Sequence, residues 1–115
     1  MRPGQIEPND LELAILERLK RQENSIRNPG RQLHVLSRKF TGVGSYTTFN
    51  VAKSSVDTPK RHVVLEAVIA VPGVEHGLGA VLWLKGDDPE CLEVFSYAAE
   101  LWDGVHEEFS VGPKG

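Results

Sequence analysis

The sequence predicts an α+β fold in which one N-terminal amphipathic helix packs on an antiparallel sheet of about five strands. Three observations lead to this prediction. Apolar residues recur at helical spacing between residues 10 and 22. From residue 33 onward the pattern changes to the alternation typical of strands. The most apolar stretch, residues 62–71, is only ten residues long and contains five β-branched residues, which favours a strand covered on both faces.

The helix is predicted over residues 10–22. Residues 1–8 contain two prolines and a glycine and are expected to form an irregular lead-in. Asn9 is a suitable N-cap, and Glu12 follows three residues later, as in a capping box. Three apolar residues then repeat at i, i+4 and i+8, namely Leu11, Ile15 and Leu19. This spacing places them on one face of the helix, which needs a sheet to cover it.

A β-hairpin is predicted next. The stretch Asn28-Pro29-Gly30 indicates a turn, and residues 33–40 and 45–51 are both rich in strand-forming residues. The two runs are separated by Thr41-Gly42-Val43-Gly44, where glycine supplies the positive φ of a tight turn. Gly42 and Gly44 begin like a dinucleotide-binding fingerprint, but Thr47 stands at the third glycine position and no helix follows.

Residues 62–71 and 78–85 are predicted to be the central strands of the sheet, joined by the loop 72–77. Residues 88–102 fit two interpretations. As a helix, the segment would be capped by Asp88 with Pro89 at its first position. As a strand, it would place Leu92 and Val94 on the face opposite Glu93 and Phe95. Residues 107–111 could add a short edge strand.

Composition and length limit the class of protein. The chain has 115 residues, enough for one globular domain over 1–115 with a sizeable core. Its 40% hydrophobic and 25% charged residues exclude a collagen-like, mucin-like or wholly disordered chain. We expect a cytoplasmic protein, because no run approaches the ~20 apolar residues of a membrane span and the first residues lack the apolar core of a signal peptide. Cys91, the one cysteine, excludes an internal disulfide framework and a multi-cysteine metal site.

Charge is divided unevenly along the chain. Residues 1–62 carry eleven Lys or Arg against six Asp or Glu, whereas residues 63–115 carry two against ten. The basic residues are densest between Arg18 and Lys39. Such a stretch could contact phosphate, or it could face the acidic second half within one chain or across a dimer. Aromatic residues are sparse around it, so nucleic-acid binding is the least favoured of the functions considered.

Five residues are candidates for a polar binding cluster. Glu66 lies inside the most apolar stretch and Glu93 lies beside Leu92 and Val94, so a buried carboxylate at either place must be paired or protonated. The candidate cluster consists of Arg38, Tyr46, Glu66, Glu93 and Tyr97. The alternative is structural: each strand has one solvated face, or each glutamate pairs with a neighbouring basic residue such as Arg38, Lys39 or Arg61.

Signatures of catalysis, metal binding and cofactor binding are not found. His34, His62, His76 and His106 are not spaced like zinc ligands, and Ser110 stands where an H-E-x-x-H motif beginning at His106 would need its second histidine. Glu90 and Glu93 flank Cys91 and would oppose thiolate formation. We therefore predict no catalytic residue, no metal and no cofactor.

Three short motifs, in order, resemble a family of small, uncharacterised bacterial single-domain proteins. The first is an Arg-x-x-Thr-Gly-x-Gly-x-Tyr-Thr hairpin, matched by Arg38, Thr41, Gly42, Gly44, Tyr46 and Thr47. The second is a glycine-bounded hairpin, matched by Gly79, Leu82 and Gly86. The third is a Leu-Glu-x-x-x-Tyr strand followed by tryptophan, matched by Leu92, Glu93, Tyr97, Glu100 and Trp102. Val94, Ala98 and Asp103 depart from the family pattern, which has glycine, glycine and proline there.

The resemblance favours the strand interpretation of residues 88–102 and implies a shared polar cluster of Arg38, Tyr46 and Glu93. It implies no activity. From the residues and the resemblance together, we expect a non-enzymatic module that binds itself as a homodimer or another protein, because a small sheet with open edges invites pairing. The alternative is a small enzyme or small-molecule binder with a sheet-face pocket around Arg38, Glu66 and Glu93.

Overall fold

One helix packs on a seven-stranded antiparallel sheet, which confirms the predicted α+β class with more strands than expected. The computed structural model describes residues 7–28, 30–50, 59–97, 100–102, 104 and 108–112. The helix α1 spans Asp10–Gln22, and a 3-10 turn spans Gly30–Gln32. The strands are β1 Val35–Phe40, β2 Gly44–Phe49, β3 Lys60–Val64, β4 Val68–Ala70, β5 Leu78–Lys85, β6 Asp88–Ser96 and β7 Ser110–Gly112.

Helix α1 begins and ends where the sequence predicts. The Asn9 side chain accepts a hydrogen bond from the Glu12 backbone N–H, and the Glu12 side chain accepts one from the Asn9 backbone N–H, both at 2.8 Å. This reciprocal pair is the predicted capping box. The apolar stripe of the helix is buried in the core, and it consists of Leu11, Ile15, Leu16 and Leu19.

The sheet has the order β1-β2-β6-β5-β4-β7, and β3 also pairs with β5. β3 and β4 therefore lie on the same side of β5, one after the other. The predicted single strand over 62–71 is wrong in this respect, because the backbone leaves the ladder around Glu66 and resumes at Val68. This interruption and the short β7 account for the additional strands. The two apolar stretches nevertheless neighbour each other in one sheet, as predicted.

Residues 88–96 form a strand, which decides between the two interpretations of residues 88–102. β6 pairs with β2 on one side and with β5 on the other, so it is a central strand of the sheet. The hairpin of β1 and β2 is also present, with the predicted positive φ at Gly42. Gly44 serves a different purpose, because a Cβ there would lie 2.2 Å from the carbonyl oxygen of Val94 in β6. The predicted lead-in to residue 6, the strand residue Val51 and the start of the last strand at Glu107 lie outside the described residues.

The core lies between helix α1 and one face of the sheet. Side chains that alternate toward the helix are buried, among them Val35, Phe49, Leu82, Leu92 and Val94. In the described part of the chain, the helix and the fully buried side chains lie on this face, so the molecule has two layers. The opposite side of the sheet, which we call the open face, carries the residues that alternate with the core residues.

Both ends of helix α1 are tied to the sheet by polar contacts. At its start, Glu12 binds Arg38 of β1 and Thr47 of β2. At its end, Gln22 donates from Nε2 to the Val64 carbonyl at 3.0 Å and accepts from the Glu66 backbone N–H at 2.8 Å. The interruption between β3 and β4 thus receives its hydrogen bonds from the helix.

Three basic residues of the first half of the chain pair with acidic residues of the second half. The pairs are Arg27 with Asp88, Lys60 with Glu90 and Arg61 with Asp87. Of these, Arg27 belongs to the dense basic stretch between Arg18 and Lys39, so for this residue the structure supports pairing with the acidic half within one chain. Among the described residues, no helix is long and apolar enough to cross a membrane.

Candidate functional site

The strand registers separate the five predicted cluster residues. Arg38 aligns with Thr47, whose side chain is buried on the helix side of the sheet. Tyr46 aligns with Glu93, one position along, and both therefore point to the open face. Because alternate residues of a strand point to opposite faces, Arg38 cannot share a pocket with Tyr46 and Glu93. The structure brings together only Tyr46 and Glu93 of the proposed pairings.

Arg38 belongs to a buried network centred on Glu12. The Glu12 side chain is 4% exposed and accepts Arg38 Nε at 2.8 Å and Arg38 Nη2 at 2.6 Å. The Thr47 hydroxyl donates to the same carboxylate at 2.6 Å. The hydrogen bond from Arg38 to Glu12 raises the pKa of the guanidinium. These contacts make Arg38 a structural residue that fastens the helix N-terminus to β1 and β2.

The sequence pattern predicts only a capping role for Glu12, yet its carboxylate accepts four hydrogen bonds. Its burial had one detectable signal. Glu12 lies four residues before Leu16 and seven before Leu19, so the helical period places it on the buried stripe. A charged residue on that stripe requires a cationic partner, and Arg38 supplies it.

Tyr46 and Glu93 form an exposed hydrogen-bonded pair on neighbouring strands. The Tyr46 hydroxyl lies 3.2 Å from Glu93 Oε2. The negative charge of Glu93 raises the pKa of Tyr46, since the phenolate form would be repelled by the carboxylate. The pair therefore favours the neutral hydroxyl, which is a hydrogen-bond donor rather than a nucleophile.

Glu66 and Tyr97 lie apart from this pair. Glu66 is exposed at the interruption between β3 and β4, so it is not the buried carboxylate that its apolar neighbours in the sequence suggested. Tyr97 packs edge-on against Phe95 at a ring separation of 5.5 Å. Gly79 of β5 makes room for both rings, because a Cβ there would lie 2.7 Å from Phe95 Cζ and from the Tyr97 hydroxyl.

The open face has an apolar centre. Tyr46, Val64 and Trp83 are large apolar residues in strands, and each is more than two-fifths exposed. Val81 and Phe95 on the same face are half-buried. The register rows place these residues on adjacent strands, with Val64 opposite Val81 and Trp83 opposite His62. The His62 and Trp83 rings are 5.0 Å apart.

Cys91 lies on the open face, directly between Thr48 and Trp83 in the strand register. It is a half-buried free thiol. Partial burial raises its pKa, and Glu93 and Glu90 act in the same direction. A thiol with a raised pKa is a poor nucleophile at neutral pH, so the site offers no thiolate chemistry.

A second polar cluster, missed by the sequence interpretation, joins the loop after β4 to the segment after β6. Glu100 accepts hydrogen bonds from the backbone N–H groups of Glu75 at 3.0 Å and His76 at 2.7 Å, and its Oε1 lies 2.9 Å from His76 Nδ1. The bond from the His76 backbone is the main cause of the lowered pKa of Glu100. No sequence spacing signals this contact, because 24 residues separate the partners.

Glu75, His76 and Glu100 are also the described residues whose donor atoms lie close enough to hold a metal ion, within 4.8 Å of one another. Both carboxylate oxygens of Glu100 are already engaged with the loop. The contacts are therefore explained by the anchoring of the loop, and we assign no metal site to the cluster.

Comparisons with protein-family models, with curated proteins and with solved structures found no match to this chain.

Proposed function

We propose that this chain is a non-enzymatic protein-interaction module that associates with a second copy of itself through the open face. The observation that carries the proposal is the position of Tyr46, Val64 and Trp83, which form an exposed apolar centre on the side of the sheet opposite the helix. Large apolar patches on a protein surface mark interaction sites more often than isolated apolar residues do.

The area of the open face suits a dimer. The five strands β1, β2, β6, β5 and β3 contain 34 residues. Each residue covers about 3.4 Å along a strand and about 4.8 Å across it, so this part of the face has an area of about 550 Å². Two stacked copies would bury about 1,100 Å² in total, which is just above the roughly 1,000 Å² expected of a biological interface.

The structure favours a dimer in which two open faces stack. The sequence alone suggests a dimer in which two sheet edges pair, and both outer strands described below disfavour it. The outer edge of β1 carries Arg38 and Lys39 and is distorted by a register shift between Val35 and Ser37. β3 begins with the basic run Lys60-Arg61-His62, and no described strand pairs with its outer side. Basic residues and bulges are common devices that prevent edge-to-edge pairing.

The residues proposed for a small-molecule pocket support the non-enzymatic interpretation. Arg38 is engaged with Glu12 on the helix side, Glu66 is exposed at the β3–β4 interruption, and Glu93 is on the open face. The three described grooves are lined by other residues. An acid/base pair needs two groups within reach of one substrate, and this arrangement does not bring them together.

Two further assignments belong to the proposal. We place the module in the cytoplasm, where Cys91 would remain a reduced thiol. We also propose membership in the small bacterial family that the motifs resemble. In support, Gly44 and Gly79 of those motifs stand where a Cβ would contact β6 atoms at 2.2 Å and 2.7 Å, so the matched glycines are required by the packing of this sheet.

Sedimentation velocity tests the self-association. The full chain is expected to change from monomer to dimer as its concentration rises, and Trp83→Lys is expected to remain monomeric. Leu101→Lys is the matched control, since Leu101 is 81% exposed but lies beyond the end of β6 and outside the open face. Circular dichroism checks that both variants are folded. A wild-type chain that is monomeric at every concentration, or a Trp83→Lys variant that dimerises like wild type, would refute the proposal.

A further inference from the structure

Two grooves adjoin at Pro72, at the end of the molecule where β4 and β6 terminate. The first has a volume of about 400 Å³ and is lined by Gly42, Pro72, Gly73, Val74, Leu101 and Trp102. The second has a volume of about 340 Å³ and is lined by Ala70, Val71, Pro72, Glu108, Phe109 and Ser110. We call the two together the Pro72 grooves. They are separate from the apolar centre of the open face, because Tyr46, Val64 and Trp83 line neither groove.

The walls of the first groove are apolar and held in place. Leu101, the most exposed large apolar residue that the structure describes, forms one wall. Trp102 is 5% exposed, packs against Phe40 and donates its backbone N–H to the Gly42 carbonyl at 2.9 Å. The opposite wall, Pro72–Val74, leads directly into Glu75 and His76, which Glu100 binds. The Glu100 contacts therefore join the two walls.

The surroundings of the Pro72 grooves are acidic. Glu108 lines the second groove, and Glu75 and Glu100 directly follow and precede lining residues of the first. No Lys or Arg is among the described lining residues of either groove. The Glu100 carboxylate is ionised at neutral pH, and the hydrogen bonds from the His76 backbone and its neighbours lower its pKa further. This charge disfavours phosphate-bearing partners such as nucleic acids and anionic membranes, and it favours a cationic one.

We propose that the Pro72 grooves bind a basic segment of a partner protein, in which apolar side chains alternate with Lys or Arg. The apolar side chains would occupy the two grooves on either side of Pro72, and the basic side chains would face Glu75, Glu100 and Glu108. A cavity of about 400 Å³ is large enough for a side chain of the size of Leu or Phe. The inference goes beyond the proposed self-association, and neither proposal depends on the other.

Trp102 provides a direct probe of this site. The chain contains two tryptophans, so the Trp83→Phe variant emits from Trp102 alone. The probe is the end-blocked peptide Lys-Leu-Lys-Phe-Lys, which is compared with Glu-Leu-Glu-Phe-Glu and Lys-Ser-Lys-Ser-Lys. We expect a saturable change of Trp102 emission with the first peptide and at least ten-fold weaker binding of the other two. Leu101→Lys is expected to weaken the binding of the first peptide, since it adds a like charge to the groove wall.

The charge requirement is tested with the double variant Glu75→Gln and Glu108→Gln. Both side chains are exposed, and the Glu100 contacts use only the backbone of Glu75, so the groove walls remain joined. We expect about five- to ten-fold weaker binding and a smaller dependence on salt. Both substitutions are made in the Trp83→Phe variant. The proposal is overturned if the first peptide causes no saturable change of Trp102 emission or if all three peptides bind with the same affinity. It is overturned as well if the two glutamine substitutions leave the affinity for the first peptide unchanged. It is also overturned if Trp102 emission changes with protein concentration in the absence of peptide, because the occupant is then a second copy.

Discussion

Replacing Glu12 with glutamine is expected to destabilise the chain far more than the same replacement of Glu17, an exposed carboxylate of helix α1. The Glu12 carboxylate accepts four hydrogen bonds, from Arg38 Nε, Arg38 Nη2, the Thr47 hydroxyl and the Asn9 backbone N–H. Glutamine retains one acceptor oxygen, which keeps part of the capping box. It removes the charge and turns an N–H₂ group toward the Arg38 guanidinium, which is itself a donor.

The magnitude follows from the burial of the pair. Removing one partner of a buried ion pair costs about 3–5 kcal/mol, because the other charge is left uncompensated. Arg38 is 21% exposed and keeps some contact with water, so we expect the lower end, about 3 kcal/mol. Arg38→Met should cost a similar amount. The double variant should be more stable than the sum of the single changes predicts, by about 2 kcal/mol, because it leaves neither charge unpaired.

Urea denaturation followed by circular dichroism measures these free energies of unfolding. The measurements are best made in the Trp83→Lys background, so that dimerisation does not contribute. Glu17→Gln is the matched control, since Glu17 forms an exposed ion pair with Arg21 on the same helix. It is expected to cost less than about 0.5 kcal/mol. If Glu12→Gln costs no more than Glu17→Gln, the carboxylate does not fasten the helix to the sheet as described.

Three further predictions concern particular contacts. Gly44→Ala should lower the free energy of unfolding by more than about 2 kcal/mol in the same urea assay, because the added Cβ would meet the Val94 carbonyl oxygen. Gly112→Ala is the control, since a Cβ at Gly112 would lie in open space. Equal stabilities of the two variants would contradict the close approach of β2 and β6. The folded-state pKa of Glu100 is lowered, chiefly by the hydrogen bond from the His76 backbone N–H. The carboxylate therefore contributes its full stability above the ordinary pKa of 4.5, and this contribution is lost as the pH falls through the folded-state pKa. Glu100→Gln should lose less stability on acidification than wild type, and parallel pH profiles of the two proteins would refute this. In the Tyr97→Phe background, ultraviolet titration should show Tyr46 ionising at lower pH once Glu93→Gln removes the neighbouring charge, and an unchanged titration would show that the pair does not form.

Local signals in the sequence predicted much of the fold. The capping box and the spacing of Leu11, Ile15 and Leu19 depend on residues within a few positions of one another, so the helix bounds could be derived. The hairpin of β1 and β2 likewise depends on a short turn with glycine at Gly42. The interruption of the strand at Glu66 could not be predicted from local sequence. The backbone N–H of Glu66 donates its hydrogen bond to the side chain of Gln22, which is 44 residues away.

The candidate site was less predictable than the fold. Whether Arg38 faces the same side as Tyr46 depends on strand register, and a shift of one residue reverses the face. The register of β1 shifts between Val35 and Ser37. Counting alternate residues from Val35 therefore does not tell which face of the sheet Arg38 points to. The ambiguity of residues 88–102 had a similar origin, because the helical and strand periods fit equally well until pairing with β2 and β5 selects the strand.

The reactivity of Cys91 tests the proposed dimer most directly. The chain's single thiol lies beside Trp83 on the open face, so a second copy stacked there would cover it. We expect its reaction rate with a chromogenic disulfide reagent to fall about ten-fold as protein concentration rises into the dimeric range, and to stay constant in Trp83→Lys. A wild-type rate that is the same at all concentrations, while sedimentation shows a dimer, would place the interface elsewhere and contradict the account.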